Sequence, residues 1–119
     1  MPSKPAQVAR WLNDILQNIS LAQNFVGELD RATFCGDTLR VYGVTRCLEI
    51  ISEASRRLPD DLKARHPSIV WKEMAGAGSV YRHDYEVVDA DLVWVTVQDH
   101  LPPLRIVIES ELDKSGDPA

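Results

Sequence analysis

Apolar residues recur every three or four positions in the first quarter of the chain, which is the spacing of one face of an α-helix. Ser3 precedes this stripe and belongs to the residue types that cap helix N-termini. Gly27 breaks the period near its end. The pattern predicts a long first helix buried along the stripe Val8, Leu12, Ile15, Ile19, Ala22, Val26 and Leu29.

A second apolar stripe follows the segment Asp30–Gly36, where we expect a short helical turn or a loop. Asp37 is a suitable N-cap, and Pro59 disfavours further helix in the residue before it. The pattern predicts a second long helix whose buried face consists of Val41, Val44, Leu48, Ile51, Ala54 and Leu58.

The polar segment between Pro59 and Pro67 predicts a connection with one helical turn around Asp61–Arg65. Ser68 then resembles a cap, and the sequence after it predicts a third helix over residues 69–81.

Asp89 is the expected cap of a last helical section, in which Pro102 and Pro103 lack the N–H groups of the hydrogen-bond ladder. A kink or a restart is therefore expected at the prolines. The β-branched run Val93–Val97 is the best alternative for a strand, but the cap and the later stripe Leu104, Ile108 and Leu112 favour a helix. Together the patterns predict an all-α, antiparallel bundle of four to five helices in one domain spanning residues 1–119.

Composition restricts the class of protein. The chain has 119 residues, of which 45% are hydrophobic, enough for one domain with its own core. The net charge of -5 argues against a general nucleic-acid binder, so any RNA contact would be local. No apolar run could span a bilayer and no secretory h-region follows Met1–Pro5, so we expect a cytoplasmic protein. Cys35 and Cys47 fit no metal-ligand spacing and are expected to be partly buried free thiols.

The sequence contains no phosphate-binding loop, zinc-protease motif, nucleophile elbow or dinucleotide fingerprint, so no cofactor is expected. Gly76-Ala77-Gly78 follows helical sequence and indicates a close helix contact. Asp84, Glu86, Asp89 and Asp91 could be metal ligands, but acidic residues are typical of helix N-termini, and we favour that interpretation.

The densest polar cluster is Tyr81–Glu86. A histidine there could act as general acid or base on a phosphodiester, and Arg82 could stabilise charge on the phosphate. The alternative is that His83 is a helix cap or a core partner. His66 and His100 receive no role.

Several of these segments together resemble the HepT-like group of the HEPN superfamily, the toxin components of HEPN–nucleotidyltransferase modules. The resemblance covers nearly the whole chain. The segments that carry it are Arg46–Ala54, Trp71–Gly76, His83-Asp84-Tyr85, Asp91–Trp94 and Asp99–Leu104.

The resemblance implies a helical bundle that forms a homodimer, with the two motifs meeting across a cleft. It also implies metal-independent cleavage of RNA, in which a 2′-hydroxyl attacks the adjacent phosphate. A nucleotidyltransferase antitoxin is the implied partner. His83, Arg82 and Tyr85 are the candidate catalytic residues, and Tyr85 is the implied acceptor of AMP.

The chain departs from the family pattern at one point. In the family an arginine is separated from the histidine by four to six intervening residues, and this chain has Gly76, Ala77 and Gly78 at the corresponding positions. Arg82 is the nearest arginine in sequence, and on a helix its side chain would diverge from that of His83 by about 100°.

Three hypotheses follow. The chain is a HepT-like ribonuclease toxin with an altered motif, or a non-catalytic HEPN module that binds a nucleotidyltransferase, a nucleotide or RNA, or a structural helical scaffold without a site. The density of Tyr, Arg and His around His83 ranks the scaffold last.

Overall fold

The computed structural model describes residues 4–80, 82–83 and 87–114, with only the backbone described at 76–80, 82, 83 and 87. Apart from one short strand pair, the regular secondary structure of the described residues is helical, so the predicted all-α bundle is confirmed. The helices are α1 (Lys4–Val26), α2 (Arg31–Cys35), α3 (Thr38–Arg57), α4 (Asp60–Ala64), α5 (Trp71–Val80), α6 (Ala90–Val95) and α7 (Leu101–Lys114), with a π-helical turn at Thr96–His100 between the last two. Strands β1 (Arg82–His83) and β2 (Val87–Val88) lie between α5 and α6.

Helices α1 and α3 form an antiparallel pair at the centre of the bundle. Phe25, near the end of α1, lies beside Gly43 in α3, where a Cβ atom would come within 3.3 Å of the phenyl ring. At the other end of the pair, Trp11 and Ala54 line one groove. Helix α5 packs on α3 and α7 packs on α1, so α3 lies between α1 and α5.

The two predicted stripes of α1 and α3 form a large part of the core. All of the second stripe is buried, as is the first from Leu12 to Val26. Phe34 of α2 is fully buried, and its ring centroid lies 5.7 Å from that of Trp94 in α6. None of the described helices combines the length and apolar character that crossing a membrane requires.

Two of the predicted caps are confirmed. The carboxylate of Asp37 accepts a hydrogen bond from the backbone N–H of Arg40, and Asp89 does the same for Leu92, both at 3.1 Å. Ser68 is not the cap of α5, and that prediction was wrong. It lies inside a turn in which the Ile69 N–H donates to the His66 carbonyl, and α5 begins only at Trp71. Ser3 lies outside the described residues.

The predicted restart at the prolines is a π-helical turn. The N–H of Leu101 donates to the carbonyl of Thr96, five residues earlier, directly before Pro102 and Pro103. Proline cannot donate to the ladder and its ring crowds the carbonyl four residues earlier, so the widened turn accommodates the pair. The strand alternative for residues 93–97 is therefore excluded.

Candidate functional site

The polar cluster singled out from the sequence lies between the end of α5 and the start of α6. The backbones of Arg82 and His83 form strand β1, which pairs antiparallel with β2 so that Arg82 faces Val88 and His83 faces Val87. A strand was not expected here, because two residues are too few to show an alternating pattern. The helical relationship assumed for Arg82 and His83 therefore does not apply. Tyr85, Asp84 and Glu86 lie outside the described residues.

The first turn of α5 is anchored by an indole. The Nε1–H of Trp71 is shared between the carbonyls of Lys63 and His66, each at 3.1 Å. Met74, one turn later, is buried in the core. These contacts fix the start of the helix that leads into β1.

The middle of α5 is held by two side chains of α3 that reach the same carbonyl. The Ser52 hydroxyl donates to the Ala75 oxygen at 2.6 Å, and the Arg56 guanidinium donates to it through Nη1 at 2.8 Å. Residues four apart on a helix lie on one face, so Ser52 and Arg56 act together. This contact comes directly before Gly76, and the close helix contact expected at Gly76-Ala77-Gly78 itself stays a prediction.

Arg56 also belongs to a cluster of charges at the end of α3. Both Arg56 and Arg57 donate to the carboxylate of Glu53. The hydrogen bond from Arg56, followed by that from Arg57, lowers the pKa of Glu53 below its ordinary value. The carboxylate is thus held as an anion between two guanidinium groups, and the three side chains together carry one positive charge.

Strand β2 and the first turn of α6 are joined to the core and to α2. Val88 packs on the core, and Asp91 pairs with Arg31 at 3.0 Å. The Cys35 thiol lies 3.6 Å from the same carboxylate. Burial, and then the hydrogen bond to Asp91, raises the pKa of Cys35, so this thiol remains protonated at neutral pH.

Of the four acidic residues considered as metal ligands, only Asp89 and Asp91 lie within the described part of the chain. Within residues 4–80, 82–83 and 87–114, no three His, Cys, Asp or Glu side chains are grouped in a way that could hold an ion. Asp89 caps α6 and Asp91 lies in its first turn, as expected for acidic residues at a helix N-terminus. Cys35 and Cys47 are both free, and Cys47 is buried.

A second charged cluster, which the sequence did not reveal, lies where α4 and α7 meet. Glu111 is only 5% exposed and accepts hydrogen bonds from Arg65 through Nη2 at 2.8 Å and Nε at 3.2 Å. The Nε2 atom of His66 lies 2.6 Å from Glu111 Oε2, the same oxygen that accepts from Arg65 Nε. The hydrogen bonds from Arg65 dominate over burial and lower the pKa of Glu111 from 4.5 to about 2.

Two surface grooves border these clusters. One, of about 590 Å³, opens beside Glu111 and is lined by mixed apolar and charged residues of α1, α4 and α7. The other, of about 390 Å³, runs between α1 and α3 and balances three arginines with three carboxylates: Arg10, Arg46 and Arg57 with Asp14, Glu49 and Glu53. The groove between α1 and α3 is therefore neutral, and the groove beside Glu111 has one cation more than it has carboxylates, so neither has the strong positive charge typical of an RNA-binding groove.

Sequence reasoning missed Arg56 and Glu111 for the same reason. Their partners lie 19 and 46 residues away in the chain, at Ala75 and Arg65. The spacing of four between Ser52 and Arg56 indicates only that the two side chains lie on one face of α3. It does not indicate which helix that face contacts.

Comparisons with known proteins agree with this architecture. Residues 15–111 match the family model described as "Ribonuclease HepT-like". A Thermococcus cleftensis protein named "Probable ribonuclease HepT" is 39% identical over 95 residues, which covers 80% of this chain and 86% of that protein. Two Methanocaldococcus jannaschii proteins, each named "Putative RNase", are 33% identical, over 86% and 88% of this chain and 94% and 89% of their own lengths. No solved structure matches the chain significantly.

Proposed function

The chain belongs to the ribonuclease HepT-like family, and we propose that it is an endoribonuclease that cleaves RNA without a metal ion. The observation that carries the proposal is the family match over residues 15–111, which includes His83. The named relatives are described as ribonucleases, which supports RNA as the substrate class.

In the proposed reaction, the ribose 2′-oxygen attacks the adjacent phosphorus while its proton passes to a base. The bond from phosphorus to the 5′-oxygen breaks, and that oxygen receives a proton from an acid. The products are a 2′,3′-cyclic phosphate and a 5′-hydroxyl. His83 is the proposed acid or base, since an imidazole titrates near neutral pH. Arg82 would bind the phosphate, and Tyr85 would shape the site.

A homodimer would supply both protonation states. Two copies of His83 facing one cleft would let one imidazole accept the proton of the 2′-hydroxyl while the other protonates the leaving oxygen. We therefore propose a homodimer as the active form, to be checked by light scattering on the purified protein. A monomeric protein that cleaves RNA would contradict the two-histidine arrangement.

The direct test is cleavage of a labelled RNA oligonucleotide by wild-type and His83→Ala proteins. We expect cleavage by the wild type only, with cyclic phosphate ends, and none of a DNA of the same sequence, which has no 2′-hydroxyl. His100→Ala is the matched control, because His100 is exposed in the π-helical turn. Equal cleavage by the wild type and His83→Ala would contradict the assignment of His83.

A second candidate function is favoured by one specific observation. Gly76-Ala77-Gly78 offers no cationic side chain for a phosphate before His83. A chain of this kind could bind a nucleotidyltransferase, a nucleotide or RNA without cutting. Binding of RNA with no cleavage under any condition tested would support this alternative.

We further propose a toxin–antitoxin role in the cytoplasm, with a nucleotidyltransferase partner that transfers AMP to Tyr85. Intact mass after co-expression with a nucleotidyltransferase encoded beside this gene tests it. Mass increases in steps of one AMP, absent from Tyr85→Phe, are expected. An unchanged mass in the presence of an active partner would contradict AMP transfer to this chain.

A further inference from the structure

We infer that the face between α1 and α7 binds a phosphate of an RNA strand through the guanidinium of Arg105, which lies beside a groove of uncharged residues on α1. The inference rests on the proposed function for RNA as the ligand. It concerns binding of the strand rather than the chemistry of cleavage, and every side chain that it uses lies in the described part of the chain.

The contacts of Arg105 hold its guanidinium in place without offsetting its charge. Arg105 is half-buried on α7. Its Nη2 group donates to the Ser20 hydroxyl at 2.8 Å and to the Gln23 amide oxygen at 2.9 Å, and both of these residues lie on α1. Both acceptors are uncharged. The two hydrogen bonds therefore orient the cation on the α1–α7 face and leave its positive charge for a ligand.

Most other arginines of the described residues are paired with a carboxylate. Those that form such ion pairs are Arg31, Arg40, Arg46, Arg56, Arg57 and Arg65. Arg105 has no ion pair with the described carboxylates, although Glu109 lies one turn further along α7. Arg10 has none among them either, but it lines the groove that contains three carboxylates. Arg105 therefore differs from these arginines in having its charge available to an anion from outside.

Arg105 also has hydrogen-bond donors that its present contacts do not use. A guanidinium has five N–H groups, two of them on Nη2. In the described part of the chain, the hydrogen bonds of Arg105 all come from Nη2, so the N–H of Nε and both N–H groups of Nη1 remain for a ligand. Such groups suit the oxygens of a phosphate, and hydrogen bonds between ions are about twice as strong as neutral ones.

The groove beside Arg105 has a lining that suits a nucleic-acid strand. It has a volume of about 390 Å³ and is lined by Asn13, Leu16, Gln17 and Ser20, which share one face of α1. Ser20 is also a partner of Arg105, so the groove and the cation adjoin. Side-chain amides and hydroxyls donate to phosphate oxygens and accept hydrogen bonds from ribose 2′-hydroxyls. The groove can therefore contact the sugar–phosphate backbone next to the phosphate on Arg105.

The net charge of the chain makes such a place important for binding. At -5 the protein repels a polyanion on average, so RNA needs a local region in which a cation is not offset. The groove between α1 and α3 contains three carboxylates and the groove beside Glu111 contains two, whereas the lining of the groove beside Arg105 contains none. Of these three grooves, the one beside Arg105 is therefore the most favourable to a phosphate.

The test measures binding of a labelled single-stranded RNA by fluorescence anisotropy at several salt concentrations, in a His83→Ala background that leaves the RNA intact. We expect Arg105→Gln to weaken binding roughly ten-fold at low salt, the usual scale for hydrogen bonds to a charged group. The slope of log K against log salt should become shallower by about 0.7, the value for one phosphate of a single strand. Arg105→Lys should keep the slope, because its charge remains, and lose part of the affinity.

Arg57→Gln is the matched control. It changes the net charge by the same amount, but Arg57 is already paired with Glu53 at 2.9 Å. We expect its affinity to stay within about two-fold and its salt slope to be unchanged.

A second variant keeps Arg105 and its contacts with α1. Gln17 is exposed in the groove, so Gln17→Glu should fold with an unchanged melting temperature and place a carboxylate beside the bound phosphate. We expect weaker RNA binding from this variant than from Arg57→Gln, although the two change the net charge equally. AMP should compete poorly with the RNA, because a single nucleotide makes only part of the contacts. Competition by AMP as effective as that by the unlabelled oligonucleotide would overturn the assignment to a strand.

The outcomes separate this inference from the proposed function. Unchanged affinity and salt slope in Arg105→Gln, in a protein whose wild type cleaves RNA, would overturn the assignment of Arg105 and leave the proposed function intact. Binding that depends on Arg105, in a protein whose wild type leaves RNA uncut, would support the inference and contradict the proposed cleavage. A wild-type protein that neither binds nor cleaves RNA would overturn both.

Discussion

The Nε2 atom of His66 lies 2.6 Å from Oε2 of Glu111, although the two residues are 45 positions apart in the chain. With the two hydrogen bonds from Arg65, this contact surrounds a nearly buried carboxylate with donors. It joins the connection between α3 and α5 to the last helix. The cluster therefore holds Arg65 and His66 in place, and these two residues lie in the connection that ends at Trp71, the first residue of α5.

Glu111→Gln should destabilise the protein in a pH-dependent way. A pKa lowered from 4.5 to about 2 corresponds to about 3 kcal/mol of stability at neutral pH. Because the folded pKa is depressed, this contribution is complete above pH 4.5 and is lost as the pH falls towards 2. Urea unfolding at several pH values should show the gap between wild type and Glu111→Gln narrowing in that window. The exposed Glu109→Gln is the control, and a gap that does not change with pH would contradict the ionic origin of the effect.

Phe34→Ala should cost about 3–5 kcal/mol in the free energy of unfolding, the usual range for emptying a fully buried aromatic site. Phe34 is 0% exposed and packs on Trp94, so both α2 and α6 lose contacts. Phe25→Ala is the matched control, because that ring is 37% exposed, and about 1 kcal/mol is expected there. Equal losses for the two variants, measured by chemical denaturation, would show that the core is not organised around Phe34.

Asp89→Ala should remove the cap that begins α6 directly after β2. The lost hydrogen bond to the Leu92 N–H should cost about 1 kcal/mol in thermal or urea unfolding. Asp89→Asn keeps an oxygen acceptor and should retain most of the stability. If Asn were as damaging as Ala, the charge near the helix N-terminus rather than the cap geometry would be responsible.

Cleavage of RNA should change by less than about two-fold in excess EDTA, because the proposed nucleophile is the substrate's own hydroxyl and the proposed proton carrier is His83. A metal-dependent nuclease assayed in the same buffer provides the control for chelation. Loss of cleavage that is restored by Mg²⁺ would contradict the proposed reaction.

Local signals in the sequence were sufficient for most of the fold. The carboxylates of Asp37 and Asp89 each accept a hydrogen bond from the backbone N–H three positions later, and the apolar stripes of α1 and α3 are buried in the core. Caps and stripes could be predicted because each depends on residues that are close together in the sequence. Ser68 failed as a cap because a competing turn from His66 to Ile69 uses that segment. The strand pair at His83 was missed because its ladder is only two residues long.

The candidate site was less predictable than the fold. The sequence identified the polar cluster around His83, but the contact between Arg56 and Ala75 depends on how α3 crosses α5. Glu111 lies beside the apolar stripe of α7, and nothing near it in the sequence indicates that its carboxylate is buried. Contacts between distant segments, rather than local preferences, bring these charged groups together.

The π-helical turn at Thr96–His100 holds one residue more than an α-helical turn between the same flanking helices. A deletion of a single residue here would tighten the turn into ordinary helix instead of twisting α7 out of the bundle. We therefore expect a one-residue change in length to be accommodated within this helical segment, and not only in loops. We expect sequence alignments of the family to place single-residue gaps at positions 96–100, because a relative with one residue fewer would have an ordinary α-helical turn there.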